Sequence, residues 1–260
     1  MPFFKHDGFN LHYETWRDGA GKTPVLLIHG FASNLEVNWV GPLWVKTLTD
    51  AGYPVIAFDH RGHGKSSGSH NPEDYTPEKM AGDAFALLDN LGVSQAHFMG
   101  YSMGARVSAF AAMMQPRRVE SLCFGGLGMA LVEGAGFWGP VHDALITNDI
   151  ATITDPRALM FRKFADQTKS DRLALGACIE GSRINLSAGQ AASIIVQTLI
   201  AVGTKDDLAG SANELAALML NARAFDIGGR DHMLAVGDRT FKARYLAFLI
   251  HCSDIKHSSF

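Results

Sequence analysis

Gly100-Tyr101-Ser102-Met103-Gly104 stands between a short apolar run, Ala96-His97-Phe98-Met99, and an Ala- and Met-rich stretch from Met103 to Gln115 that stops at Pro116. Strand, tight turn, helix is the context in which G-x-S-x-G carries meaning. A residue on so sharp a turn is forced into unusual backbone angles, so the positions two before and two after it must be small. The helix that follows would aim its first N–H groups and its dipole at the reacting centre. Ser102 is thus the candidate nucleophile, the alternative being an ordinary Gly-rich turn.

Outward from this turn, short apolar runs alternate with helical patterns. The runs are Val25–Ile28, Val55–Phe58, Ala96–Met99, Ser121–Phe124, Thr198–Val202 and Ala222–Ile227. Continuous hydrophobicity is expected of strands buried on both faces, so the chain reads as an α/β protein with a mostly parallel sheet flanked by helices. Asn10–Trp16 alternates instead, as an edge strand or hairpin would. Helices are expected over Pro77–Leu91, with Thr76 as N-cap and Pro77 at the first position, and over 103–115, 211–220 and 233–250.

The rhythm fails between about Leu127 and Ile194, where only short amphipathic helices can be placed: Phe137–Thr147, Pro156–Thr168, Arg172–Gly181 and Ala188–Ile194. The division expected is therefore a core over 1–126 and 195–260 with a helical cap over 127–194. Extra helices packed on the side of the sheet are the other reading of the same segment.

Two further segments follow strands. After Val25–Ile28 comes His29-Gly30-Phe31, where Gly30 permits a sharp turn. The N–H groups of Phe31 and Met103 would then form a two-donor oxyanion hole, each donor worth about 3–4 kcal/mol of barrier. His29 reads as a structural hydrogen-bonding residue. After Val55–Phe58 comes Asp59-His60-Arg61-Gly62-His63-Gly64-Lys65-Ser66. It fails as a P-loop because Asp59 stands where a glycine is needed, and as a dinucleotide fingerprint because position 67 is Ser. Asp59 and Arg61 are expected to hold this loop through local hydrogen bonds.

Together, His29-Gly30, Asp59-x-Arg61-Gly62-x-Gly64-x-Ser66 and Gly100-x-Ser102-x-Gly104 resemble the successive motifs of the α/β-hydrolase superfamily, in its order and at its separations. The resemblance implies an eight-stranded sheet, a nucleophile elbow, a late acid and a final histidine. Gly203-Thr204-Lys205-Asp206-Asp207 stands where the family places its acid, and Gly229-Arg230-Asp231-His232 where it places its histidine. The triad implied is Ser102, His232 and Asp206. Asp206 leads Asp207 on the family's Gly-x-x-Asp spacing, and Asp231 reads as a turn residue. Relatives that open epoxides or displace halide use Asp at the elbow, whereas Ser102 points to acyl transfer.

Composition bounds the remaining possibilities. The chain has 260 residues, a formal charge of −3 and no basic stripe, which speaks against a nucleic-acid partner. No apolar run reaches membrane-spanning length, and the start, Met1–Gly8, does not read as a secretory signal. Cys123, Cys178 and Cys252 are scattered and odd in number, which suits free thiols in the cytoplasm. The histidines lack metal-ligand spacing, so neither metal nor organic cofactor is expected.

The substrate expected is a small to medium apolar ester, since the 127–194 segment offers apolar side chains and no obvious cluster of Arg or Lys for a carboxylate. Thioester, lactone, carbon–carbon bond and perhydrolase chemistry can use the same triad, and a non-catalytic ligand receptor of the same fold is the reading from a different class.

Overall fold

Asp7 and Gly8, at φ 49° and 82°, make the two-residue turn that joins strand β1 (Phe3–His6) to β2 (Phe9–Trp16). Positive φ at both central residues matches the strand twist, and Asp-Gly is a sequence suited to it. The alternating stretch at Asn10–Trp16 is therefore the second arm of a hairpin. The computed structural model describes residues 1–16 and 21–258.

Six strands follow: β3 (Val25–Ile28), β4 (Val55–Phe58), β5 (Ala96–Tyr101), β6 (Val119–Gly125), β7 (Thr198–Gly203) and β8 (Ala222–Ile227). The eight form one sheet in the order β1-β2-β4-β3-β5-β6-β7-β8. Pairing is antiparallel up to the β2–β4 junction and parallel beyond it. Each apolar run named above lies in a strand, and β3, β4, β5 and β7 are buried throughout.

Side-chain alternation splits these runs between two cores. Leu26, Ile28, Phe58, Phe98 and Phe124 face helices α2 (Pro77–Asn90) and α3 (Met103–Met114). Val25, Leu27, Val55, Met99 and Cys123 face α1 (Trp44–Asp50) and α11 (Arg239–Ser258). With period-two geometry, an all-apolar strand is what a sheet covered on both faces requires.

Helix α1 has no counterpart in the sequence reading. Leu43 before it takes a left-handed conformation, no side chain caps it, and Gly41-Pro42 interrupts the pattern just ahead. Tertiary packing holds it instead. The fully buried ring of Trp44 meets Trp39, Phe241 and Tyr245 edge-on, at centroid distances of 6.3, 5.0 and 5.8 Å. Such pairs add about 0.5–1.5 kcal/mol each beyond the area they bury.

The helix expected over 233–250 is divided: α10 (His232–Ala235) ends before Gly237, and Asp238 Oδ1 then accepts from the N–H groups of Thr240 and Phe241 to start α11. Thr76 caps α2 as expected, accepting from Lys79 N–H at 3.4 Å.

Between β6 and β7 the chain carries five helices: α4 (Ala130–Glu133), α5 (Gly139–Ile146), α6 (Pro156–Gln167), α7 (Arg172–Gly181) and α8 (Ala188–Ala192). Four coincide with the expected helices to within a few residues, and α4 is additional. α9 (Ala212–Leu218) links β7 to β8. Arg162 and Arg172 bind the carbonyls that end α5: Arg162 takes Ala144 and Thr147, and Arg172 takes Leu145 and Thr147. Thr168 Oγ1, past the end of α6, reaches Ala32 O in the loop after β3. Among the described residues no helix is long and apolar enough to cross a membrane.

Candidate active site

Ser102 sits between β5 and α3 at φ 53°, ψ −111°, a region that L-residues other than Gly rarely enter. Its N–H donates to Gly125 O at 2.7 Å, and its carbonyl accepts the first bonds of α3 from Ala105 and Arg106. The turn is as tight as the pentapeptide implied. A Cβ on Gly100 would come within 2.2 Å of Gly104 O, and one on Gly104 within 2.0 Å of Ile28 O. Both obstacles are backbone, so neither can move aside.

His232, at the start of α10, brings Nε2 to 3.0 Å from Ser102 Oγ. Its Nδ1 lies 2.8 Å from Asp206 Oδ2. With Nδ1–H donated to the carboxylate, Nε2 is left as acceptor for the serine hydroxyl. The second oxygen of Asp206 accepts from Leu208 and Ala209 N–H at 3.0 Å each, and its side chain is fully buried. Asp207 is exposed, and Asp231 caps α10 by accepting from Met233 and Leu234 N–H. The structure thus brings Ser102, His232 and Asp206 together and leaves both neighbouring carboxylates out. Tyr101, the first variable position of the pentapeptide, donates its hydroxyl to His232 O at 2.6 Å and steadies the histidine loop. Sequence reading gave Tyr101 no part.

The loop after β3 abuts the elbow, because a Cβ on Gly30 would lie 3.5 Å from Ser102 Cβ. Gly30 N–H is held by Asn38 Oδ1 at 3.0 Å, a partner no motif signalled. Among the described residues the N–H groups of Phe31 and Met103 have no protein acceptor, and both residues line cavities that contain Ser102. His29 is structural, as expected: Nδ1 donates to Gly30 O and Nε2 accepts from His60 N–H. Burial lowers its basicity, holds His60 well below the ordinary range, and takes His63 down to about 3. These three rings stay neutral and pack as a wall beneath Phe31.

The Asp59–Ser66 loop is held partly as expected. Asp59 accepts locally from Lys65 N–H and also binds Leu35 N–H and His12 Nδ1. Arg61 departs from the expectation of local bonds. It forms a bidentate pair with Asp83 of α2 at 2.8 and 2.6 Å and reaches Asp7 of the hairpin turn, all in the interior or at its margin. Local spacing could not reveal partners this far away in the chain.

A cleft of about 240 Å³ opens over Ser102 and His232, walled by Phe31, Val37, Pro42, Val236 and, from α6, Phe161 and Phe164. Phe161 meets Phe31 at 5.8 Å and Trp138 at 5.2 Å between centroids. A second compartment, about 20 Å³, shares only Ser102 and His232 with the first and is lined by Met103, Arg106, Trp138, Ser182, Arg183 and Leu208.

Here the expectation of a pocket without basic residues is corrected. Arg106 on α3 and Arg183 just past α7 are far apart in sequence, so no charge run announced them. Arg106 donates to the carbonyls of Ala130, Leu131 and Ile184 and to Asn185 Oδ1. Burial brings it down to about 10. Arg183 lies with Cζ 3.4 Å from the Trp138 ring centroid, and burial together with the like charge of Arg106 brings it down to about 9. Both remain cationic at neutral pH.

The model for the alpha/beta hydrolase fold matches residues 23–175. Similar curated proteins include the dihydrolipoyllysine-residue acetyltransferase component of the acetoin cleaving system of Cupriavidus necator, 39% identical over 136 residues, 52% of this chain and 32% of that protein. Epoxide hydrolase B of Mycobacterium tuberculosis is 33% identical over 121 residues, 44% of this chain and 32% of the other. The chain thus spans about a third of the length of these relatives.

Among solved structures, a hydrolase from Pseudomonas aeruginosa superposes with a TM-score of 0.75 at 26% identity, covering 95% of this chain and 97% of that one. The enol-lactonase from Burkholderia xenovorans gives 0.72 at 24% identity over 96% and 100%, a likeness of fold alone. With the family match running from just before β3 into α7, and the same fold extending over nearly all of the chain, this protein belongs to the alpha/beta hydrolase fold family.

Proposed function

We propose that this protein is a serine hydrolase that cleaves carboxylic esters through an acyl-enzyme on Ser102. The observation that carries the reading is the chain of contacts from Ser102 Oγ through His232 to a buried, doubly hydrogen-bonded Asp206. Ser102 Oγ attacks the ester carbonyl carbon while its proton passes to His232 Nε2. The N–H groups of Phe31 and Met103, free of protein acceptors, receive the oxyanion. Collapse breaks the bond to the alkoxide, which leaves with the proton from His232. Water then repeats the sequence on the acyl-enzyme and releases the acid. Asp206 holds the tautomer and balances the imidazolium.

Several curated relatives are named epoxide hydrolases. A serine that opened an epoxide would be left as an alkyl ether, which has no carbonyl for water to attack, so a serine elbow favours acyl chemistry. The helices between β6 and β7 act as a cap in this proposal, because Phe161 and Phe164 roof the cleft and would shelter an apolar acyl or alkyl group of small to medium size. The three cysteines, all unpaired and buried, suit a reducing cytoplasmic setting.

The test is turnover of p-nitrophenyl esters from acetate to long acyl chains, with Ser102→Ala as control, alongside covalent labelling by a fluorophosphonate. Turnover and labelling that both vanish in Ser102→Ala are expected. A folded wild-type protein that neither labels nor turns over any ester overturns the reading and favours a ligand receptor.

A further inference from the structure

Neither arginine of the second compartment has a counter-charge among the described residues, and Arg183, unlike Arg106, also lacks hydrogen-bond acceptors. Among the described residues its guanidinium has no hydrogen-bond acceptor and no ion-pair partner, and its Nε is shut off from solvent. The charged groups nearest to it in effect are Arg106 and Arg157, both of the same sign. Arg106 cannot be neutralised either, since its partners are three carbonyls and an amide. Arg157 likewise binds the carbonyls of Ala135 and Phe137. Arg183 is part-buried rather than sealed off, so its free N–H groups can be reached, and a cation without a counter-charge that lines a compartment beside the nucleophile is a place for a ligand's anion.

The shape of the site narrows that ligand. Stacking on Trp138 fixes the plane of the Arg183 guanidinium and leaves its N–H edge free for an acceptor in that plane. At about 20 Å³ the compartment has room for a flat carboxylate and little more, so the chain joining that carboxylate to the reacting carbonyl must run through the opening at Ser102 and His232 shared with the larger cleft. It also borders Ser102 and His232 directly, so an anion there lies a few bonds from the reacting carbonyl. The alcohol must depart before water attacks, while the acyl group stays attached. In this reading the larger cleft takes the leaving group, and the small compartment takes only the terminal carboxylate of the acyl group.

We propose that Arg183 binds a carboxylate at the acyl end of the substrate, making this protein a hydrolase of monoesters of short dicarboxylic acids. The proposal rests on the ester-hydrolase reading above and adds the charge of the substrate to it. Arg106 contributes to the field without needing to touch the ligand.

The experiment compares kcat/KM for p-nitrophenyl hydrogen glutarate and its neutral counterpart p-nitrophenyl valerate in the wild type, Arg183→Met and Arg183→Lys. Glutarate itself is titrated calorimetrically into Ser102→Ala and into Ser102→Ala with Arg183→Met. The wild type is expected to favour the glutarate ester by tenfold or more. In Arg183→Met that ratio should fall about 10- to 100-fold, mainly through KM, the range for a charge-assisted contact. Arg183→Lys should recover part of it, and glutarate binding should be lost with Arg183. Equal use of both esters with no glutarate binding overturns the proposal, reduces Arg183 to a stacking partner of Trp138, and leaves ester hydrolysis standing. Glutarate bound by Ser102→Ala, when the wild type turns over no ester, supports the anion site and removes the hydrolase reading instead.

Discussion

Replacing Ser102 by Gly should make the protein more stable than replacing it by Ala, although both variants lack the nucleophile. The two differ only by the Cβ, and that atom is what makes φ 53°, ψ −111° unfavourable. A residue held in such a region stores about 1–3 kcal/mol. Glycine escapes that strain but loses about 0.5–1 kcal/mol through its freer unfolded chain. The balance favours Ser102→Gly by roughly 0–2.5 kcal/mol, centred near 1 kcal/mol, or a few degrees of Tm for a chain of this size. The hydrogen bond to His232 is missing from both variants and cancels. Thermal and urea unfolding of the pair measure the difference, with equal m-values as the check that both unfold from the same compact state. A Ser102→Gly protein melting at or below Ser102→Ala would refute the claim that the elbow is strained.

Three other outcomes follow from the same geometry. Asp206→Asn should lower kcat on the order of 10³–10⁴-fold by favouring the wrong histidine tautomer, and Asp207→Asn should leave it within a few-fold; steady-state kinetics on one ester decides. Arg61→Met should cost up to about 3–5 kcal/mol in urea unfolding by leaving the buried Asp83 carboxylate with His6 Nδ1 as its remaining side-chain partner, and Asp83→Leu added to it should return part of the loss. Thr240 and Arg230 bonds outweigh burial at Asp238 and hold its carboxyl down at about 2, against 3.8 for the free group. A depressed carboxylate stabilises fully above its unfolded pKa and ceases to do so as pH falls through the folded one, so Asp238→Asn should remove a stability difference that is full above pH about 4 and fades as pH falls through about 2.

How much of this was legible in the sequence depended on the range of the forces involved. Steric demands are local, so Gly100 and Gly104 announced the elbow, and the unbroken apolar runs of β3, β4 and β5 announced a sheet covered on both sides. The choice of Asp206 over Asp207 needed only a short spacing. Helix α1 was hidden because its stability comes from Phe241 and Tyr245 at the other end of the chain, while its own caps are poor. Arg61 was recognised as a fastener, yet Asp83 and Asp7 as its anchors were not. Arg183 left no trace at all: it stands in an ordinary-looking polar loop, and its meaning lies in what fails to surround it.

The bonds made by Arg106 have a consequence for how this architecture can be altered. One guanidinium gathers Ala130 and Leu131 at the root of the insertion where it leaves β6, and Ile184 and Asn185 where the chain returns. The segment from 132 to 183 is therefore a lobe with a tied neck, its two ends already joined whatever lies between. Closing a loop costs an entropy that grows only with the logarithm of its length, so lobes of quite different size could be closed at this neck, provided that the contacts of Thr168 with Ala32 and of Phe161 with Phe31 are kept beside the serine. The knot fixes where the lobe begins and ends, and what lies between is held to the core by a few named contacts.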